Sequence, residues 1–196
     1  SLELFVCAGA PIPRVLAQTA AQRLGARICS GWGMSETGLV TATQLGDAPD
    51  KVFGTVGVGW AGQEVRVVDD DKRPVPHHTV GNLQTRGAAN FVGYLKRPEA
   101  YDVDEEGWFD TGDIAVMDDD AYIRITSRAK DIIIRGGENV PVVEIEELLY
   151  RHPAVQDAAV VAMPDPRLGE RGCAFVSTKP GSAFTFEDML AHFDAA

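Results

Sequence analysis

The sequence predicts a mixed fold: a parallel α/β segment, then a small antiparallel β region, then a short α+β domain. Three observations predict it: a strand–helix–strand pattern at the start, short alternating runs in the middle, and mixed helix and strand patterns at the end. The 196 residues, 45% of them hydrophobic, suffice for one ordinary domain or two small ones. We place the main division between residues 1–128 and 129–196.

The α/β segment covers residues 1–53. The apolar run LELFVC predicts a first strand, Pro13 suits the first turn of a helix, Gly25 marks its end, and residues 26–30 predict a second strand. Two strands joined through a helix pair in parallel, and a parallel pair normally belongs to a larger sheet. We therefore expect a partial sheet, the rest of which lies outside this sequence.

The β region covers residues 54–128. Its alternating runs EVRVVD, NLQTRG and AYIRIT are separated by polar turn clusters at residues 69–76 and 118–120. This pattern predicts a small antiparallel sheet or β-barrel subdomain.

The last region, residues 129–196, follows the polar run SRAKD. It predicts a helix that stops before Pro153, the strands VQDAAVVAM and GCAFVST, and a helix that opens at Thr185 with Asp188 three residues later. We expect a small α+β domain that lacks its end. The missing initiator Met and the stop at Ala196 inside a helical pattern predict that both termini are cuts.

Charge and composition limit the classes of molecule that the chain is expected to bind. The formal net charge of −11 at pH 7 opposes binding to nucleic acid, so an anionic ligand needs local donors. The sequence contains no run of about 20 apolar residues, so it does not predict a transmembrane segment. Cys7, Cys29 and Cys173 form neither a disulfide framework nor a metal motif, which predicts a reducing cytoplasm. The sequence predicts no oligomeric state.

The strongest local motif is GWGMSETG at residues 31–38, directly after the second predicted strand. Its glycines allow a backbone to approach phosphate oxygens, Ser35 and Thr37 are hydroxyl donors, and the Glu36 carboxylate is a ligand for Mg²⁺. Trp32 offers a plane for a base. The alternative is a glycine-rich turn whose polar residues cap the next element.

A second motif, AGAP at residues 8–11, ends the first predicted strand. Ligands of parallel sheets bind at the carboxyl ends of the strands, so AGAP and GWGMSETG are expected to face one crevice.

Two further motifs contain charged residues. In WFDTGD, we expect Asp113 to lie in a tight turn where its carboxylate accepts hydrogen bonds from two ribose hydroxyls; a turn-forming Asp is the alternative. In residues 127–139, Arg128 suits ribose or phosphate and the polar joint suits a hinge, whereas the alternative is an exposed hairpin.

These four motifs, in this order, resemble the adenylate-forming superfamily of acyl-CoA synthetases, luciferases and peptide-synthetase adenylation domains. Residues 81–100 and 106–146 extend the resemblance to essentially the whole chain, and it lies nearest to medium-chain or fatty acyl-CoA ligases. The resemblance implies the carboxyl-terminal part of a large domain, followed by a small mobile domain truncated before its catalytic lysine.

The resemblance also implies residue roles. The adenine wall would comprise Gly9, Ala10, Pro11, Gly31 and Trp32. The phosphate would be bound by Gly33, Met34 and Ser35, and the magnesium ion by Glu36. Asp113 would bind the ribose, with Arg128 and Ile125 beside it. Lys130 would be the hinge of the small domain, and the pantetheine tunnel of coenzyme A would be lined by Gly136, Gly137 and Glu138. The catalytic set would be Ser35, Glu36 and the hinge Lys130.

The implied function is an ATP-dependent carboxylate–CoA ligase, which uses Mg²⁺ and coenzyme A and forms an acyl-adenylate before the thioester. Trp32 stands where most relatives carry Tyr, and Ser35 where they carry Thr. Because the upstream phosphate loop and the downstream Gly-Lys segment are absent from the sequence, we expect this chain alone to be inactive. The motif RGGENV favours CoA over a carrier protein as acceptor. A carrier-loading adenylation domain and a non-catalytic structural fragment stay open as alternatives, and the carboxylic acid is not identified.

Overall fold

The computed structural model describes residues 2–10 and 12–195. The chain forms two compact units, Ser1–Ala129 and Lys130–Ala196, which are described separately below. Across the described residues, no helix combines the length and apolar character needed to cross a membrane. The assignment of these units to a large and a mobile small domain stays a prediction.

The first sheet confirms the predicted parallel strand pair. Its elements are β1 (Leu4–Cys7), α1 (Arg14–Leu24), β2 (Arg27–Met34), β3 (Gly38–Ala42), α2 (Pro49–Gly54) and β4 (Val58–Gly59). Strands β1 and β2 pair in parallel through α1, whereas β2–β3 and β3–β4 are antiparallel. Helix α1 ends where Gly25 adopts a left-handed conformation (φ 59°), which confirms the predicted stop.

Strand β2 is longer than predicted, because it continues beyond Ser30 to Met34. Residues 31–34 pair with β3 in antiparallel register, so strand hydrogen bonds hold this glycine-rich segment. The prediction that GWGMSETG is a loop after a strand is therefore wrong for its first half. Only residues 35–37 form the turn.

The second sheet contains β5 (Gln63–Val68), β6 (Val80–Gly87), β7 (Phe109–Met117) and β8 (Ile123–Arg128), paired consecutively and antiparallel. Its core comprises Val67, Leu83, Ala115 and Ile123, all buried. The antiparallel sheet is confirmed, but the barrel is not closed. Within the described residues β5 and β8 are the two edges of the sheet, and four strands are too few to enclose a filled interior.

The second unit is the predicted α+β arrangement. Its elements are β9 (Ile133–Arg135), β10 (Glu138–Val140), α3 (Val142–Arg151), β11 (Val155–Asp165), β12 (Gly169–Thr178) and α4 (Phe186–Asp194). The sheet order is β10-β9-β12-β11, and Leu149 of α3 is fully buried in the core. At the start of α4, Thr185 and Asp188 form the predicted capping box.

Candidate functional site

Two donor side chains, from two strands, meet at a carboxylate on a third strand. The indole Nε1–H of Trp32, on β2, donates to Oδ2 of Asp113, on β7, at 2.8 Å. The guanidinium Nε–H of Arg128, on β8, donates to Oδ1 of the same carboxylate at 2.8 Å. We call Trp32, Asp113 and Arg128 the carboxylate cluster.

Strand register explains the pairing of the two charges. Asp113 and Arg128 lie directly opposite each other in the β7–β8 ladder, where cross-strand side chains are neighbours. The Asp113 side chain is 3% exposed, whereas that of Arg128 is 54% exposed. Because a buried carboxylate is costly without donors, the two hydrogen bonds are what allow Asp113 to lie inside the fold.

The prediction that Asp113 lies in a tight turn is wrong, since it lies within β7. Its backbone N–H donates to the Thr111 hydroxyl at 3.1 Å, and that hydroxyl donates to the carbonyl of Leu83 on the neighbouring strand. Sequence reasoning also missed Trp32 as a donor to Asp113. The two residues lie 81 positions apart, and no local pattern links them.

The glycines of residues 31–38 satisfy the packing of the β2–β3 hairpin. A Cβ on Gly33 would lie 1.9 Å from the carbonyl oxygen of Gly38, and one on Gly31 would lie 3.0 Å from that of Thr41. The strand register shifts between Trp32 and Gly33. The hairpin therefore requires these glycines whether or not a phosphate approaches.

The turn of this hairpin presents the predicted phosphate and metal residues. Ser35 is exposed, and the backbone N–H of Met34 donates to the Thr37 hydroxyl at 3.3 Å. The phenol of Tyr94 donates to Oε1 of Glu36 at 2.7 Å. This hydrogen bond raises the pKa of Tyr94 above its ordinary value. The sequence did not predict the Tyr94–Glu36 contact. The family resemblance covers residues 81–100, but it does not indicate that Tyr94 bonds to Glu36.

The group in this turn that could bind a metal ion is the carboxylate of Glu36. The described residues contain no cluster of three or more His, Cys, Asp or Glu side chains arranged to hold a metal. Mg²⁺ in nucleotide sites is typically bound by one or two carboxylates together with substrate phosphates and water. A single glutamate at the turn fits that pattern.

Among the remaining predicted nucleotide residues, Gly9 and Ala10 follow β1 of the first sheet, whereas Ile125 lies on β8 of the second. Cys7 pairs with Ser30, so the segment that contains Gly9 and Ala10 leaves β1 beside the strand that continues to Gly31. Gly9 has φ 91°. The indole of Trp32 and the side chain of Ile125 pack against the same buried cluster. The remaining residue of this set, Pro11, lies outside the described residues.

The predicted hinge and CoA residues belong to the second unit. Lys130 is its first residue and is exposed. Gly136 (φ 62°) and Gly137 (φ 89°) form the two-residue turn between β9 and β10, and Glu138 begins β10. Two consecutive positive φ angles suit a tight hairpin turn, which explains the paired glycines.

Two family models match the chain. A model described as AMP-binding enzyme matches residues 1–95, and one described as AMP-binding enzyme C-terminal domain matches residues 144–194.

Individual relatives agree with these matches. The medium-chain fatty-acid–CoA ligase of Escherichia coli (strain K12) is 42% identical over 196 residues, covering 98% of this chain and 34% of the relative. Enterobactin synthase component E of the same organism is 40% identical over 182 residues, covering 91% of this chain and 34% of the relative. The crystal structure of ATP-bound MatB from Rhodopseudomonas palustris superposes with a TM-score of 0.90 at 28% identity, covering 98% of this chain and 38% of MatB. The chain thus spans about a third of the length of the curated relatives that it matches.

Proposed function

The chain belongs to the adenylate-forming AMP-binding enzymes, and from this premise we propose that it is part of an ATP-dependent carboxylate–CoA ligase. In the proposed reaction a carboxylate oxygen attacks the α-phosphorus of ATP and releases pyrophosphate. The sulfur of coenzyme A then attacks the acyl carbon, and AMP leaves. The observation that carries the proposal is the carboxylate cluster, in which two donors hold a buried carboxylate beside the glycine-rich hairpin.

We assign the ribose to Asp113. An ionised carboxylate is acceptor-only and offers about four lone-pair sites, of which Trp32 and Arg128 occupy two. The remaining sites suit two vicinal hydroxyls. Trp32 would contribute its ring to the adenine wall and its N–H to the carboxylate, so that one residue positions both the base and the ribose.

We assign the phosphate to Ser35 with the backbone of Gly33 and Met34, and the metal of MgATP to Glu36. Among the described residues, Glu36 forms no salt bridge, so its negative charge is not neutralised by a protein cation. When bound with ATP, Mg²⁺ supplies charge neutralisation at the phosphates. The exposed Ser35 hydroxyl supplies a neutral donor at the same turn.

For the second half-reaction, we propose rotation at Lys130 and a role for Gly136, Gly137 and Glu138 in binding the pantetheine arm. Similarity to a fatty-acid–CoA ligase supports free CoA as the acceptor and a role in fatty acid metabolism. Similarity to a component of enterobactin synthase supports the alternative, an adenylation domain that loads a carrier protein. Three free cysteines and the use of ATP and CoA support a cytoplasmic location.

The nucleotide assignment is tested in the full-length protein by replacing Asp113 with Ala. A hydrogen bond to a charged group contributes about 1.5–3 kcal/mol, so we expect the dissociation constant for ATP to rise at least about tenfold. Asp110→Ala is the matched control, since it removes a carboxylate of the same strand whose bond is to the backbone of Gly112. Equal affinities for wild type and Asp113→Ala would contradict the assignment.

The acceptor is tested separately. Carboxylate-dependent exchange of pyrophosphate into ATP identifies the acid, and parallel assays with free CoA and with a carrier protein identify the thiol. Thioester formed with free CoA but not with the carrier protein supports the ligase. Thioester formed with the carrier protein but not with free CoA supports the alternative.

A further inference from the structure

One segment of the first unit holds Glu36 at two points. The Tyr94 hydroxyl donates to the Glu36 carboxylate at 2.7 Å, from 58 positions further along the chain. The backbone N–H of Phe91 donates to the carbonyl oxygen of Glu36, also at 2.7 Å. Both the side chain and the backbone of the proposed metal ligand are therefore fixed by residues 91–94.

This segment is itself anchored to the second sheet. The Phe91 ring packs edge-to-face against Tyr94, Tyr101 and the buried Phe109 of β7, with centroid distances of 4.7, 5.0 and 5.5 Å. The Tyr101 hydroxyl donates to the carbonyl of Phe91 at 3.0 Å. The contacts between the rings hold the Tyr94 ring, so its hydroxyl meets Glu36 from a fixed position.

The chemistry of the donor suits a metal ligand. A free glutamate side chain must lose rotamer freedom when it binds an ion, and a hydrogen bond made beforehand removes part of that cost. A Lys or Arg partner would place a positive charge beside the incoming cation. A neutral phenol orients the carboxylate and leaves its charge for the metal.

We propose that Tyr94 is a positioning residue that orients the Glu36 carboxylate for the metal ion of MgATP. This inference rests on the proposed function, because it takes Glu36 as the metal ligand. Tyr94 acts through Glu36 and needs no contact with the metal or the nucleotide.

The experiment measures metal affinity and not turnover. In the full-length protein with a non-hydrolysable ATP analogue, the dissociation constant of Mn²⁺ is determined by electron paramagnetic resonance for wild type, Tyr94→Phe, Glu36→Gln and the double variant. Loss of a partner that orients a metal ligand typically weakens metal binding about tenfold or more. We expect that loss for Tyr94→Phe, an unchanged affinity for the analogue without metal, and no additional loss in the double variant beyond Glu36→Gln.

Tyr101→Phe is the matched control. It removes a hydroxyl from the same aromatic group, but one that is bonded to the carbonyl of Phe91 and not to Glu36. We expect its Mn²⁺ affinity to equal that of wild type. If Tyr94→Phe and Tyr101→Phe weaken Mn²⁺ binding equally, Tyr94 has only a structural role and the inference is overturned.

The outcomes separate the inference from the function on which it rests. If Glu36→Gln leaves Mn²⁺ affinity unchanged, the metal assignment in the proposed function fails, and the inference fails with it. If Glu36→Gln weakens Mn²⁺ binding but Tyr94→Phe does not, only the inference is overturned. If Tyr94→Phe does not fold, Glu36→Asp is used in its place. This variant keeps the negative charge at position 36 but draws the carboxylate away from Tyr94. An unchanged Mn²⁺ affinity of Glu36→Asp would overturn the inference.

Discussion

The indole N–H of Trp32 lies 2.8 Å from Oδ2 of Asp113, so a residue of the first sheet fixes a carboxylate of the second. Arg128 holds the other oxygen at the same distance. The proposed base-stacking residue and the proposed ribose ligand thus form one unit. A substitution at Trp32 is therefore expected to alter ribose binding by changing the position of the Asp113 carboxylate.

Trp32→Phe keeps an aromatic plane but removes the donor. We expect the affinity of the full-length protein for AMP to fall, because Asp113 loses one of the two donors that orient its carboxylate toward the proposed ribose. Calorimetric titration with AMP measures this loss. Trp32→Tyr, which restores a donor group on the ring, is expected to lose less than Trp32→Phe. If both variants bind AMP as wild type does, the indole N–H has no part in nucleotide binding.

Gly33→Ala tests the packing of the hairpin. The added Cβ would lie 1.9 Å from the Gly38 carbonyl oxygen, a backbone atom that no side-chain rotation can move away. Overpacking of this kind typically costs about 1–3 kcal/mol or more, so the urea midpoint of unfolding is expected to fall. Gly54→Ala is the control, since its Cβ would meet only the Arg14 side chain at 3.8 Å. Equal midpoints for the two variants would show that β2 and β3 separate at little cost.

Tyr122 predicts a pH dependence of stability in the alkaline range. Its hydroxyl donates to Asp47 Oδ1 at 2.7 Å, and this bond raises the Tyr122 pKa to about 12 from an ordinary value of 10.0. A group whose pKa is raised on folding contributes stability that is complete below the unfolded pKa and is lost as the pH rises through the folded value. The contribution of Tyr122 is therefore expected to disappear between pH 10 and pH 12.

Urea unfolding of wild type and Tyr122→Phe across this range provides the measurement. The wild type is expected to be more stable below pH 10, and the difference is expected to vanish by pH 12. Asp47→Asn is the control, because it removes the charge that raises the Tyr122 pKa. A stability difference that stays constant through pH 12 would show that Tyr122 contributes through packing alone.

Local signals predicted the elements of this fold well. Gly25 ends α1 in a left-handed conformation, and Thr185 with Asp188 caps α4, because each signal acts within a few residues. The strand–helix–strand pattern also predicted the parallel pairing of β1 and β2, since a helical crossover leaves few other topologies.

Contacts between distant segments were not predictable in the same way. The carboxylate of Asp113 meets Trp32 across 81 positions, and Glu36 meets Tyr94 across 58, through sheet packing that no short pattern encodes. The glycines of residues 31–34 predict a loop, because glycines usually mark turns, whereas in the structure they allow close strand pairing. The family resemblance implies candidate site residues, but it does not indicate the partners that hold them.

Lys130 provides the test of the proposed two-step mechanism. The backbone N–H of Ala129 donates to the carbonyl of Gly112 at 2.9 Å, which ties the last residue of the first unit to β7. Lys130 is the next residue and the first of the second unit. A change in the backbone angles at Lys130 is therefore the simplest way for the proposed rotation to occur, since hinges are a few residues that absorb φ and ψ changes.

Lys130→Pro restricts that change, because proline fixes φ near −65° and removes an N–H donor. In the full-length protein we expect carboxylate-dependent pyrophosphate exchange to survive while thioester formation from preformed adenylate and CoA is lost; a proline that traps the second state would reverse the pattern. Lys130→Ala keeps the backbone free and is expected to retain both half-reactions, which separates loss of rotation from loss of the ammonium group. Either asymmetry supports a hinge at Lys130. Equal loss of both half-reactions in the proline variant would indicate misfolding, and full retention of both would remove Lys130 from the mechanism.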